Sequence, residues 1–130
     1  RNLNFSFSGL KTAVLYALDK LGEKDYPDVA ASFQEAVVDV LVKKLAYAIE
    51  QTGIKKLVCS GGVAANRLLR ERLTDMGKTS ELEISYPKME FCTDNAAMIA
   101  YAGFIRKKYN LKKYPTKYAR PRWPLGELYD

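Results

Sequence analysis

Two neighbouring glycines form the part of this sequence that is best suited to binding chemistry. Gly61 and Gly62 follow a predicted strand, residues 57–60, and precede a helical pattern that starts near Ala65. Because glycine has no Cβ, a ligand can lie directly against the backbone, while the free N–H groups of the opening helix turn face it. A tight strand-to-helix connection without any ligand is the alternative interpretation. The pattern therefore indicates a candidate nucleotide site and leaves both interpretations open.

A carboxylate, Asp94, follows the second predicted strand, residues 83–86. In an open α/β sheet, ligands bind outside the carboxyl ends of the strands, so we expect both loops to line one crevice, with Asp94 beside Gly61. Asp94 offers a single oxygen ligand, and a metal would need partners from elsewhere. Glu90 ranks below it as a second ligand. Alternatively, Thr93 or Asp94 caps the last helix.

Histidine is absent from the sequence, and only two cysteines are present. This composition excludes, within this chain, a Ser-His-Asp triad, a Cys-His dyad and an H-E-x-x-H zinc site. Cys59 and Cys92 lack C-x-x-C spacing, which argues against a cysteine metal site. We expect both thiols to be reduced, and to be buried or nearly so.

The elements that must position these residues follow from the hydrophobic periodicity. Ser8 is a candidate N-cap for a first helix that runs to about Lys20, and Asp25 with Pro27 opens a long second helix that ends at Gly53. A strand, helix, strand and helix follow, predicted at residues 57–60, 65–75, 83–86 and 95–109. This order predicts an α/β fold that is rich in helices and has an incomplete sheet.

Two strands make an unusually small sheet. Three or more strands are normally needed for independent stability, so we expect further strands, either ahead of Arg1 in a longer protein or from a second copy of the chain. With 130 residues and 48% hydrophobic content, the chain is long enough for one domain. No apolar run approaches the ~18 residues of a membrane span, and no leader precedes the first helix, which predicts a cytoplasmic protein.

Basic residues are concentrated near the carboxyl end. Residues 106–122 contain eight basic side chains and no acidic one, and they account for the net charge of +6. Aromatic residues lie among them, so cations can neutralise phosphates while aromatic faces stack on unpaired bases. A solvated helix end followed by a proline-containing arm is the alternative. We divide the chain into a lobe of residues 1–114 and a basic tail of residues 115–130.

Four motifs together resemble one protein family. They are FSFSGLKT at residues 5–12, GGVAAN at 61–66, FCTDN at 91–95 and RPRWPL at 120–125. In this order and spacing they resemble the C-terminal part of the TsaD (Gcp, YgjD) family, the tRNA threonylcarbamoyladenosine transferases. The resemblance extends over essentially the whole chain. It implies the C-terminal lobe of an actin-like, RNase H-like ATPase fold.

The resemblance also implies a reaction and a set of site residues. Family members bind threonylcarbamoyl adenylate and transfer its threonylcarbamoyl group to the exocyclic amine of the adenosine beside a tRNA anticodon, which is an acyl transfer. By motif, Gly61, Gly62 and Asn66 would contact the adenosine part of this adenylate or of ATP. Asp94 matches the family's metal-binding aspartate, with iron as the expected ion and zinc as the alternative. The candidate RNA contacts are Arg106, Lys107, Lys112, Lys113, Lys117, Arg120 and Arg122.

The family pattern includes an N-terminal half that this chain lacks. The H-x-x-x-H metal ligands and a glycine-rich loop belong to that half, so we expect no catalytic residue within this chain and an inactive isolated fragment that can self-associate. The implied partners are tRNA, the missing half and, in a bacterial source, TsaB and TsaE type proteins. Two alternatives stay open: a non-catalytic module that binds nucleotide, RNA or a partner protein, and a metallopeptidase, as the family's older glycoprotease label suggests.

Overall fold

The computed structural model describes residues 2–111 of the chain. The chain divides into two compact units, and the division falls between Asp94 and Asn95. The order of elements confirms the predicted α/β pattern, although most ends differ from the prediction by a few residues. The predicted boundary between lobe and tail, after residue 114, lies outside the described residues. The first unit contains α1 (Ser8–Leu18), α2 (Tyr26–Thr52), β1 (Lys56–Val58), α3 (Arg67–Ser80) and β2 (Glu83–Ser85), and the second contains α4 (Ala96–Lys108).

The long helix α2 begins and ends where its local sequence predicts. Asp25 is the N-cap residue, and Pro27 lies in the first turn, where a missing N–H costs no intrahelical hydrogen bond. Gly53 ends the helix in the left-handed conformation, with a φ of 67°. Its N–H donates to the carbonyl of Ile49 at 2.8 Å, which satisfies one carbonyl at the helix end.

The helix α1 begins without a side-chain cap, so the prediction that Ser8 is its N-cap residue is wrong. Phe7 is the N-cap residue, and Ser8 is the first residue of the helix. The Ser8 hydroxyl instead forms a hydrogen bond of 3.4 Å with the hydroxyl of Ser6, which precedes the helix. The helix ends at Leu18, two residues before the predicted end.

The two strands pair in parallel, and Leu57 of β1 lies opposite Ile84 of β2. The helix α3 connects them, so the carboxyl ends of both strands lie at the same edge of the sheet. The pairing extends one residue past β1, where the N–H of Cys59 donates to the carbonyl of Ser85 at 3.1 Å. The loops that follow the two strands therefore start side by side, as the sequence predicts.

The core lies where α2 and α3 pack against each other and against the sheet. Val38 of α2 and Leu69 and Leu73 of α3 are buried there. Gly77 lets α3 approach β2 closely, since a Cβ at this position would lie 3.0 Å from Cδ1 of Ile84. The partly buried apolar side chains around this core are Leu41, Val42, Leu45, Leu57, Cys59, Leu68, Met76, Ile84 and Tyr86.

Large apolar side chains also lie at the surface of each unit. Val58 of β1 is 74% exposed in the first unit, and Ile99 and Tyr101 of α4 are 67% and 65% exposed in the second. Within the described residues, each strand is paired on one edge only. That further strands join this sheet stays a prediction. None of the described helices combines the length and apolar character that crossing a membrane requires.

Candidate functional site

The glycine turn, residues 61–65, follows β1 after Cys59 and Ser60 and begins in a conformation that requires glycine. Gly61 has a φ of 87° and a ψ of 175°, a combination that is essentially confined to glycine. The N–H of Ala64 donates to the Gly61 carbonyl at 2.9 Å and closes the turn. Gly62 has no positive φ, and a Cβ built on either glycine meets no atom of the described residues within 4 Å. The backbone at both glycines is therefore open to close approach.

Asn66 joins this turn to two helices. It is the N-cap residue of α3, and its Oδ1 accepts a hydrogen bond from the N–H of Leu69 at 3.0 Å. Its Nδ2 donates to Oε1 of Gln34 on α2 at 2.9 Å. The side chain thus has a clear structural role. Since an amide oxygen accepts two bonds and an amide nitrogen donates two, each end keeps one more position for a ligand.

Asp94 lies at the end of the segment after β2, which we call the Asp94 loop (residues 87–94). Its side chain is exposed and makes no hydrogen bond or ion pair with another described residue. The prediction that Thr93 or Asp94 caps the last helix is wrong. Asn95 is the N-cap residue of α4, and its Oδ1 accepts from the N–H of Met98 at 2.9 Å, because α4 starts one residue later than predicted. The Asp94 carboxylate therefore has no capping role.

A metal site is not complete within the part of the chain that the structure describes. No group of three or more His, Cys, Asp or Glu side chains is placed there to hold an ion. Asp94 can supply carboxylate oxygen, which iron and zinc both accept, but further ligands would have to come from outside these residues. The donor set fits one ligand of a shared site and does not fit a self-contained one.

The sequence reasoning missed Arg70, which contacts both loops of the site. Its side chain is half-buried on α3, next to the buried Leu69, and it donates to the Ala64 carbonyl in the glycine turn. It also donates to the Pro87 carbonyl and to Sγ of Cys92 in the Asp94 loop. The sequence feature that could have identified Arg70 is its place beside the apolar positions of an amphipathic helix. Its partners lie far away in sequence and could not be read from it.

The two cysteines lie near this junction, and both are free thiols, as predicted. Cys92 is buried, and Cys59 is half-buried at the end of β1. Burial raises the pKa of the Cys59 thiol above its ordinary value; the positive charge of Arg70 opposes this shift, and the neighbouring Cys92 adds to it. The Cys59 thiol is therefore suited to packing rather than to nucleophilic attack at neutral pH, and the Cys92 thiol is shielded by its burial.

Two of the seven candidate RNA contacts lie within the described residues. Arg106 and Lys107 lie in the last turn of α4, together with Lys108. Cations at the C-terminal end of a helix are stabilised by the negative end of the helix dipole. These basic residues therefore have a structural explanation as well as a candidate role in binding RNA. The other five candidates, Lys112, Lys113, Lys117, Arg120 and Arg122, lie outside the described residues.

A glycine turn and an exposed aspartate after two adjacent parallel strands define a class of protein. It is an α/β protein whose candidate ligand site lies at the carboxyl edge of the sheet. The chain belongs to the TsaD family: the model of the tRNA N6-adenosine threonylcarbamoyltransferase family matches residues 1–101. The chain is also 49% identical, over 131 aligned positions, to the tRNA N6-adenosine threonylcarbamoyltransferase of Methylobacillus flagellatus. That alignment covers 98% of this chain and 39% of the length of the relative.

Proposed function

We propose that this chain is the C-terminal part of a tRNA N6-adenosine threonylcarbamoyltransferase, an acyltransferase with an actin-like fold. The observation that supports this most strongly is the 49% identity to a transferase of that name over 98% of the chain. The paired strands, the connecting helix α3 and the glycine turn are compatible with one lobe of such a fold. The remainder of the active site would come from a region that corresponds to the part of the relative that this chain does not cover.

In the proposed reaction, the exocyclic amine of a tRNA adenosine attacks the carbamoyl carbon of threonylcarbamoyl adenylate. A nitrogen–carbon bond forms, and the bond from that carbon to the phosphate oxygen breaks. AMP leaves with the electron pair, and the amine loses one proton. Since this chain has no histidine, it offers no imidazole to accept that proton. The acceptor is another base of the chain, a water molecule or a group outside the chain.

The contribution of this chain would be binding and orientation. Gly61 and Gly62 would face the adenosine part of the adenylate or of ATP, and Asn66 would use its remaining amide positions there. Gly62 gives the clearest support, because neither its backbone conformation nor any atom of the described residues requires glycine at this position. A ligand that lies against the backbone would explain why no side chain is present.

Asp94 would be one ligand of a metal ion, iron or zinc, that is shared with residues outside this chain. The support is an exposed carboxylate with no partner among the described residues, at the end of the loop that Arg70 holds to the glycine turn. A bound divalent ion would offset negative charge on the phosphate or carbamoyl oxygens. The role proposed for Asp94 itself is to hold that ion.

Partner binding completes the proposal. Arg106 and Lys107 of α4, with the basic residues after residue 111, would contact the tRNA backbone. TsaB and TsaE type proteins would assist if the source is bacterial. Such contacts would weaken steeply with added salt, because each phosphate neutralised by Lys or Arg releases a counterion.

Substitution at Gly62 gives the most direct test of the proposed binding surface. In the full-length protein, Gly62→Val should abolish binding of adenine nucleotide and the formation of threonylcarbamoyladenosine on tRNA, with an unchanged melting temperature. Gly103→Val is the matched control, since a Cβ at Gly103 of α4 also meets no atom of the described residues within 4 Å. Unaltered nucleotide binding in Gly62→Val would refute the proposed contact with the glycine turn.

The isolated 130-residue chain supplies a second test. It should show no transfer activity and only weak ATP binding, because part of the ligand shell would be absent. Isothermal titration calorimetry measures this directly. Binding of ATP with a dissociation constant of about 1 μM, near −8 kcal/mol, would show that this chain forms a complete site by itself.

A further inference from the structure

One side chain, Arg70, bridges the two loops of the candidate site. From the second turn of α3, its Nε donates to the carbonyl of Ala64 at 2.6 Å, inside the glycine turn. Its Nη2 donates to the carbonyl of Pro87 at 2.9 Å and to Sγ of Cys92 at 3.2 Å, both in the Asp94 loop. The guanidinium is planar and rigid, so the donors on Nε and Nη2 fix the distance between the two loops.

Neighbouring groups hold this guanidinium in place. Its central carbon, Cζ, lies 5.0 Å from the centre of the Tyr86 ring, and the Tyr86 hydroxyl donates to the Arg70 carbonyl at 3.4 Å. None of the ion pairs among the described residues involves Arg70. Its hydrogen bonds all go to neutral acceptors in the two loops. A lysine has all its donors on one nitrogen and cannot reproduce this fork.

We propose that Arg70 is a positioning residue for the transfer reaction, an inference that rests on the proposed function. It sets the distance between the glycine turn, which would contact the adenosine, and Asp94. The contacts are close to both: Ala64 lies two residues after Gly62, and Cys92 lies two residues before Asp94. Since a misplacement of about 1 Å can cost about 100-fold in rate, loss of this bridge would impair transfer without removing any group that touches substrate.

The test uses the full-length protein with two substitutions, Arg70→Met and Arg70→Lys. The matched control is Arg72→Met, because Arg72 lies on the same helix and pairs with Glu35 at the surface. Amide hydrogen exchange is followed in residues 61–66 and 87–94, and transfer kinetics are expressed per folded molecule, well below the melting temperature. Both Arg70 variants should exchange faster in both segments and lose about 10-fold or more in kcat/KM, whereas the control should change neither.

Each other outcome overturns the proposal at a different point. Unchanged exchange in either segment would mean that Arg70 does not hold the two loops together. Faster exchange with normal transfer would mean that the bridge has no role in the reaction. A loss of activity that disappears when rates are expressed per folded molecule would show an effect on stability alone. A wild-type protein without transfer activity would refute the proposed function and, with it, the positioning role.

Discussion

Asn66 allows a quantitative test of how α3 begins. Its side chain accepts from the Leu69 N–H at 3.0 Å and donates to Gln34 at 2.9 Å. Asn66→Ala removes both bonds. Loss of an N-cap costs about 1 kcal/mol, and loss of the exposed bond to α2 adds about 0.5–1 kcal/mol. We therefore expect the free energy of unfolding to fall by roughly 1.5–2 kcal/mol.

Two matched variants separate these contributions. Asn66→Ser keeps a capping oxygen but is too short to reach Gln34, and Gln34→Ala removes the partner while Asn66 still caps the helix. Each should cost only about 0.5–1 kcal/mol. Urea unfolding of the full-length protein, followed by far-UV circular dichroism, measures all three. Equal losses for Asn66→Ser and Asn66→Ala would refute the capping argument, and no loss for Asn66→Ala would refute the contribution of both bonds.

Three further predictions concern the candidate site. Gly61→Ala should lower the free energy of unfolding by about 1–3 kcal/mol because of its backbone conformation, whereas Gly62→Ala should be close to neutral; equal effects in urea unfolding would contradict this. Asp94→Ala should change stability by less than about 0.5 kcal/mol but remove bound metal from the full-length protein, as measured by elemental analysis. Because its pKa is raised, Cys59 should stay protonated at pH 8 and react with iodoacetamide more slowly than cysteine in an unfolded peptide. Mass spectrometry of the labelled peptide gives the rate, which should increase as the pH rises further.

Local signals explain how much of the fold could be predicted from the sequence. Pro27 and Gly53 act through their own backbone geometry, so the bounds of α2 could be predicted well. The residue that caps α4 was harder to predict, because Thr93, Asp94 and Asn95 are adjacent and all are good capping residues. Which one caps α4 depends on where the helix starts, and a shift of one residue changed the answer.

The contacts of Arg70 mark the limit of such reasoning. Its acceptors at Pro87 and Cys92 lie 17 and 22 residues away in sequence. Only the parallel pairing of β1 with β2 brings the loop after each strand within reach of one guanidinium. The sequence correctly predicted that the two loops start at the same edge of the sheet. It could not predict the side chain that joins them.

The candidate site residues differ in whether they also have a structural role in the fold. Gly61 is required by its backbone conformation, and Asn66 is required as the cap of α3. Gly62 and Asp94 have no comparable structural use among the described residues. Loss of function on changing either of the first two would therefore be hard to distinguish from misfolding. We therefore expect substitutions at Gly62 and Asp94 to leave the fold unaltered, so that their effects on nucleotide and metal binding report on the proposed chemistry itself.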